Sequence, residues 1–335
     1  MIKPNSKTAL PWVERYRPRT LSELSGNEDV FRALRSYASI ESLPHLILYG
    51  PPGSGKTSSI LAIARQLYGA EVFSSMVLEL NASDVRGVDT MRNEIQCFTK
   101  CSSVTAGGVA AATKLVILDE ADSLTHLAQC ALRHLIERSR NAVRFCLCCN
   151  YATKISAGIK SRCTTLRFSA MSRLDLKVHL GNVLKQERVD LSARDLDAVL
   201  DVCRGDARRA INLLQGLSLG HLEGQEIDVY QWCGVPAPAD VQKLFRSLSH
   251  DTFAVAFQTL SSLLLEKKLC LARVISALTE EIVVSSEDSG ICTDRVRTVV
   301  RVFADIERTL LSEGGSDSLC IGATVGAFHV VDDAG

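Results

Sequence analysis

Five short apolar runs, HLILY (45–49), MVLEL (76–80), KLVIL (114–118), RFCLCC (144–149) and TTLRF (164–168), constrain the fold of this chain more than any other feature. Each is nearly continuous in apolar or β-branched residues, as expected of a strand covered on both faces. The stretches between them, such as KTSSILAIARQLYG and LAQCALRHLIERS, repeat apolar residues at helical spacing. Strands alternating with helices predict an α/β core with a parallel sheet, over residues 1–170. Beyond it the strand signal gives way to helix-period segments, opening with SRLDLKVHLGNVLKQERV, where Ser172 is placed to cap a helix. A small helical domain is expected over 171–228, closing on the Gly-rich LGHLEGQ. The Pro-rich VPAPAD then leads into a third, all-helical domain over 229–335. A chain of 335 residues accords with more than one core.

Lys plus Arg and Asp plus Glu both number 38, so any contact with nucleic acid must come from local clustering. No apolar run is long enough to cross a bilayer, and the first residues, MIKPNSKTALPWVERYRP, lack the apolar centre of a signal peptide. An intracellular protein without a membrane partner is expected. The twelve cysteines are spread through apolar segments, and CLCC at 146–149 lies in a strand-like run with no second pair at zinc spacing. Buried, reduced thiols are the expectation there. The small-residue stretch SVTAGGVAAAT (103–113) reads as a loop.

GPPGSGKT supplies the chemistry: Gly50, Pro51, Pro52, Gly53, Ser54, Gly55, Lys56 and Thr57, with Ser58 following, fit the G-x-x-x-x-G-K-[ST] pattern between a strand and a helix. The glycines let the backbone wrap phosphates, and its N–H groups and the helix N-terminus meet their negative charge. Lys56 reaches the outer phosphates and Thr57 offers a hydroxyl to Mg²⁺. In LVILDEAD the apolar run delivers Asp119 and Glu120 at the carboxyl end of a strand, where open parallel sheets bind ligands. Asp119 is suited to the Mg²⁺ shell and Glu120 to orienting or deprotonating an attacking water. Asp122 is as well suited to capping a helix. Asn150, closing RFCLCCN, fits either a phosphate contact or an ordinary turn. Arg208 and Arg209 open a helix where cations sit badly against the dipole, which points to a role for at least one of them.

These pieces, in this order, resemble the AAA+ ATPases, and more narrowly the clamp loader small subunits of replication factor C. PWVERYRP, LPHLILYGPPGSGKTSSILAIARQLYG, MVLELNASDVRG, LVILDEAD, RFCLCCNY, SRCTTLRF and GDARRAINLLQ carry the resemblance along nearly the whole chain. It implies a RecA-like ATPase core, a helical lid and a helical collar. The collar would join one copy into a hetero-pentamer of replication factor C subunits, which loads the sliding clamp PCNA onto primer-template DNA in replication and repair. ATP and Mg²⁺ are the implied cofactors and the nucleus the implied location. Arg162 of SRC would be an arginine finger, completing the ATP site of the next subunit in trans. Asn150 would be the first sensor and Arg208 the second, on the lid, while Val13, Arg17 and Pro18 would line the adenine and ribose pocket. Arg86 matches a position that meets the DNA backbone, and Ile95 and Phe98 match the helix that docks on the clamp. An apolar pair at the spacing of Ile95 and Phe98 would otherwise face the core.

The chain departs from the family pattern at Val85, where relatives carry a second acid, and at His134, where they carry a second arginine. Two alternatives share the same residues. One is a nucleotide-binding scaffold that mainly donates its finger; the other is a different DNA-associated AAA+ protein that assembles with itself.

Overall fold

The apolar runs form β1 (Leu46–Tyr49), β2 (Val77–Asn81), β3 (Lys114–Asp119), β4 (Val143–Cys149) and β5 (Thr164–Arg167). In the computed structural model, which describes residues 10–37, 42–83, 88–100, 113–138, 143–222, 228–289, 293–311 and 317–329, they make one parallel sheet. The order is β2-β3-β4-β1-β5. Alternate residues face opposite sides, as the period of a strand requires. Leu46, Leu48, Leu115, Ile117, Cys146 and Cys148 enter one core. Ile47, Val116, Leu118, Phe145, Leu147 and Cys149 enter the other. Burial on both faces is why the central strands β1, β3 and β4 read as continuous apolar runs, whereas the edge strand β5 is largely exposed.

Helices cover both faces. α1 (Trp12–Arg15), α2 (Glu28–Arg35) and α3 (Lys56–Met76) precede β2, and α4 (Val88–Lys100) leads to β3. α5 (His126–Arg138) joins β3 to β4, and the short α6 (Ala157–Lys160) precedes β5. Phe31 and Leu34 of α2 pack with Ile60 to Ala64 of α3 on the first face, and Ile95, Leu132 and Ile159 pack on the second. α3 does not stop at Gly69, where the helical pattern of the sequence breaks. Gly69 takes φ +74°, ψ 170° and the helix resumes as far as Met76, so β2 begins at Val77.

Three further helices follow, α7 (Arg173–Glu187), α8 (Ala193–Cys203) and α9 (Ala207–Leu222). The expected cap at Ser172 is present: its Oγ accepts the Asp175 N–H at 3.1 Å, and Ser192 caps α8 in the same way. Backbone contacts divide the chain into two units, residues 1–219 and 220–335. The second holds α10 (Val229–Cys233), α11 (Pro238–His250), α12 (Phe253–Lys267), α13 (Leu271–Ser289), α14 (Thr293–Leu311) and α15 (Asp317–His329) around Leu244, Leu260, Leu278, Phe303 and Phe328. Trp12 is buried on α1, whereas Trp232 on α10 is 50% exposed. None of the helices, among the described residues, is long and apolar enough to cross a membrane.

Candidate active site

The site forms where neighbouring strands lead out in opposite directions. β1 connects toward β2 at one edge, while β4 connects past β1 to β5 at the other. Such a switch point opens a crevice at the carboxyl ends of the strands. Tyr49 pairs with Cys149 and Leu118 with Leu147, so the three strand ends that precede Gly50, Glu120 and Asn150 lie within one residue of level. A cavity of about 280 Å³ lies there, lined by Pro52 to Thr57, Ser58, Asp119, Glu120, Cys149 and Asn150.

Two close backbone approaches explain the glycines. A Cβ on Gly50, at φ +152°, would stand 2.2 Å from the Phe168 carbonyl oxygen of the neighbouring strand's end. One on Gly53, at φ +69°, would stand 1.9 Å from Asp206 Oδ1. Asp206 precedes α9 and accepts the Arg209 N–H at 3.1 Å, so the loop is packed against the start of the helix that carries Arg208.

Inside the cradle Lys56 donates to the carbonyl oxygens of Gly50 (2.8 Å) and Pro51 (2.9 Å) and to Asn150 Oδ1 (3.2 Å). Burial lowers its pKa; Asp119 opposes that shift and Arg208 adds to it. The ammonium is thus held in a poorly hydrated place among oxygen acceptors, where a phosphate gains most from it. Thr57 Oγ1 donates to Asp119 Oδ2 at 2.9 Å, while Asp119 Oδ1 accepts the Glu120 N–H at 2.9 Å. Hydroxyl and carboxylate oxygens side by side are the hard donors that Mg²⁺ takes, with waters and phosphates completing its shell. The residues present therefore fit that ion. Glu120 is left-handed, at φ 52°, and solvent-exposed, an uncommon conformation for a residue with a side chain. Asp122 is the middle residue of the short 3₁₀ turn Ala121–Ser123, and the residue capping that turn is Glu120.

Val13, Arg17 and Pro18 line the same cavity, as does Arg208; Arg209 is not among its lining residues. α1 is held against α7 through one carboxylate oxygen, Glu187 Oε1, which accepts from Arg15 Nη1 at 2.5 Å and Tyr16 OH at 2.6 Å. The Trp12 N–H donates to Gln215 Oε1 on α9 at 3.0 Å. Sequence reasoning missed Leu24, Met171, His179 and Ile211, which also line the cavity. Leu24, Met171 and His179 arrive from the α1–α2 loop, the β5–α7 connection and α7 by packing and no local motif marks them, while Ile211 lies within GDARRAINLLQ without any signal of its own that it faces the cavity. Desolvation lowers the His179 pKa, favouring a neutral imidazole.

Other expected residues lie elsewhere. Arg162 is outside the cavity lining and exposed beyond α6, where its guanidinium pairs with Glu137 at 2.7 Å. Ile95 requires correction: it is fully buried in the core between α4 and the sheet, because the apolar stripe of that helix is what the sheet face needs covered. Its side chain is unavailable to a clamp. Phe98, one turn further, is only partly buried, with Lys114 Nζ 4.7 Å from its ring centre. Arg86, Val85 and the loop 103–113 except Thr113 lie outside the described residues. The CLCC thiols are buried and free, as expected. Burial raises the Cys149 pKa to about 12, so a thiol that borders the cavity is not a nucleophile near neutral pH.

A phosphate loop, a strand-end Asp-Glu pair and the α9 residue Arg208 around one crevice are the arrangement of an AAA ATPase. A family model described as "ATPase family associated with various cellular activities (AAA)" matches residues 46–170. A solved structure of a Thermotoga maritima RuvB variant is 18% identical, covers 75% of this chain and 88% of that one, and has a TM-score of 0.50. At that identity it supports the fold alone. Replication factor C subunit 3 of Saccharomyces cerevisiae is 40% identical over 329 residues, covering 96% of this chain and 94% of the relative. Replication factor C subunit 5 of Homo sapiens is 38% identical over 324 residues, covering 97% and 93%. Probable replication factor C subunit 5 of Dictyostelium discoideum is 39% identical over 327 residues, covering 97% and 92%. The chain belongs to the replication factor C small subunits, in the branch numbered 3 in fungi and plants and 5 in animals.

Proposed function

We propose that this chain is an ATP-hydrolysing subunit of a nuclear clamp loader. It would work in a hetero-pentamer with other replication factor C subunits that opens the sliding clamp PCNA and loads it on primer-template DNA. The observation that carries the reading is the meeting of Lys56 with Asn150 (3.2 Å) and of Thr57 with Asp119 (2.9 Å) on one cavity that Arg208 also lines. The backbone cradle and Lys56 hold the outer phosphates, and Asn150 and Arg208 contact the γ-phosphate from the sheet and the lid. Glu120 orients the attacking water and accepts its proton. Thr57 and Asp119 would hold Mg²⁺, which when bound would supply positive charge against that developing on the transferred phosphoryl group.

Residues 1–170 would form the ATPase core, 171–228 the lid and 229–335 the collar. Arg162 would act on a neighbour's ATP, a reading supported by its exposure and its position away from the chain's own cavity. Arg86 would meet the DNA backbone, and Phe98, at the margin of the α4 core contact, is the residue left to meet the clamp. The test is ATP turnover by the assembled complex with clamp and primed DNA, with and without Mg²⁺, for the parent and Glu120→Gln. Loss of this chain's share of turnover supports the reading. Full turnover in the variant refutes hydrolysis at this site and leaves a binding scaffold.

A further inference from the structure

Arg162 is not among the residues that line the chain's own cavity, yet it is not a loose surface arginine. Its Nη1 donates to the Gly158 carbonyl oxygen at 2.7 Å and to Ser161 Oγ at 3.1 Å, while Nη2 meets Glu137 Oε1 at 2.7 Å. Gly158 and Ser161 belong to α6 and its C-cap, only a few residues away in sequence. Glu137 comes from the last turn of α5, on the far side of β4 in the chain. We propose that Glu137 is a positioning residue for Arg162, holding its guanidinium at the surface in the orientation from which it reaches a neighbouring subunit's nucleotide. The inference rests on the reading of Arg162 as a finger donated in trans.

Three features separate this arrangement from an incidental surface pair. The first is donor arithmetic: a guanidinium has five N–H groups. Three contacts leave at least two for phosphate oxygens, so the hold and the proposed ligand can coexist. The second is charge. Arg133 lies one helical turn before Glu137, and its Cδ stands 3.0 Å, its Nη1 3.5 Å, from the place a Cβ on Gly158 would occupy. Two guanidinium groups therefore flank Gly158, and Glu137 supplies a carboxylate in contact with the exposed one. Its second oxygen stands 3.6 Å from His134 Nδ1. Without Glu137, repulsion from Arg133 and the freedom of a long side chain would both carry Arg162 away from its present orientation. The third is pre-organisation. An arginine already fixed by its own subunit loses little further rotamer freedom when it meets a transition state, and small misplacements of such a group cost rate steeply. Gly158 contributes by lacking a side chain, which lets Arg133 lie close against the α6 backbone.

The test uses the complex assembled with its partner subunits, checked for size, and measures steady-state ATP turnover with clamp and primed DNA. Parent, Arg162→Ala, Glu137→Ala, Glu137→Gln and the double variant Glu137→Ala/Arg162→Ala are compared, and turnover is scaled to the share that Arg162→Ala removes. Glu137→Ala should lower kcat for that share about ten-fold with KM nearly unchanged, the signature of a group that acts in the transition state. Glu137→Gln keeps an acceptor at the same reach and should stay within about three-fold of the parent. The double variant should be no slower than Arg162→Ala alone, because both changes act through one group. Glu137→Ala turnover equal to or above the parent overturns the proposal, as does a further loss in the double variant. If Arg162→Ala itself leaves turnover intact, the finger reading fails before Glu137 is reached, so the two failures are distinguishable.

Discussion

Replacing Gly53 with alanine tests the contact between the phosphate loop and the start of α9. The new Cβ would stand 1.9 Å from Asp206 Oδ1, 2.7 Å from its Cγ and 3.0 Å from the Ala207 nitrogen. Relief requires Asp206 to retreat, which removes its hydrogen bond to the Arg209 N–H at the start of α9. The lost cap costs about 1 kcal/mol. The left-handed backbone at φ +69° adds about 1 kcal/mol for a residue with a side chain. Residual crowding adds about 1 kcal/mol more. A total of about 3 kcal/mol in a unit of this size lowers Tm by about 6–12 °C. Gly26→Ala is the control, since Gly26 has φ +74° but its nearest foreign atom is Asp175 Oδ2 at an ordinary 3.8 Å. It carries only the backbone term, about 1 kcal/mol and about 2–4 °C. The assay is thermal unfolding of the full chain together with fluorescent-nucleotide binding. Gly53→Ala should also weaken binding, because Arg208 moves with the displaced turn. Equal melting of the two variants with unchanged nucleotide affinity would refute the contact.

Asp119→Asn should reduce Mg²⁺-supported ATP turnover at this site by at least about 100-fold, while metal-free nucleotide binding stays near the parent value; a turnover assay beside a binding titration checks both. Glu187→Ala removes the acceptor shared by Arg15 and Tyr16, and a loss of about 1–3 kcal/mol in chemical denaturation should accompany weaker nucleotide binding as α1 loosens. Acid should destabilise the fold through His45, whose pKa is lowered from 6.5 to about 4 by burial and by nearby Arg144. Its contribution is present above pH 6.5 and is lost as pH falls toward about 4, because the unfolded chain takes up the proton first. Protonation also removes the acceptor at Nδ1 that receives the Phe145 N–H at 3.1 Å. Urea unfolding across that window should show the fall in the parent and a shallower one in His45→Asn.

The parallel sheet and phosphate loop were legible in the sequence because each depends on local pattern: strands buried on both faces must be apolar throughout, and a phosphate cradle needs its glycines at fixed offsets. The continuation of α3 past Gly69 was not legible, because a glycine that breaks a helical pattern does not forbid the helix from resuming. Ile95 shows the limit of periodicity, which identifies the apolar stripe of α4 without saying whether its own sheet or a partner covers it. The places of His179, Ile211 and Asp206 at the site were invisible for a different reason. These residues join the site only through the packing of α7 and α9, and no spacing rule links residues more than a hundred positions apart. The pairing of Arg162 with Glu137 is likewise set by the placement of α5 beside α6.

The chain has two tryptophans, and their surroundings differ. Trp12 is buried next to Val13 at the nucleotide cavity, and Trp232 stands half in water on α10 of the second unit. Indole emission moves to longer wavelength as water reaches the ring, so the two residues emit at different colours. The protein thus carries an unlabelled optical reporter in each unit: the short-wavelength component should report on the surroundings of α1, and the long-wavelength component on the helices of residues 220–335. A single emission spectrum can therefore separate events around α1 from events in the second unit without an added dye.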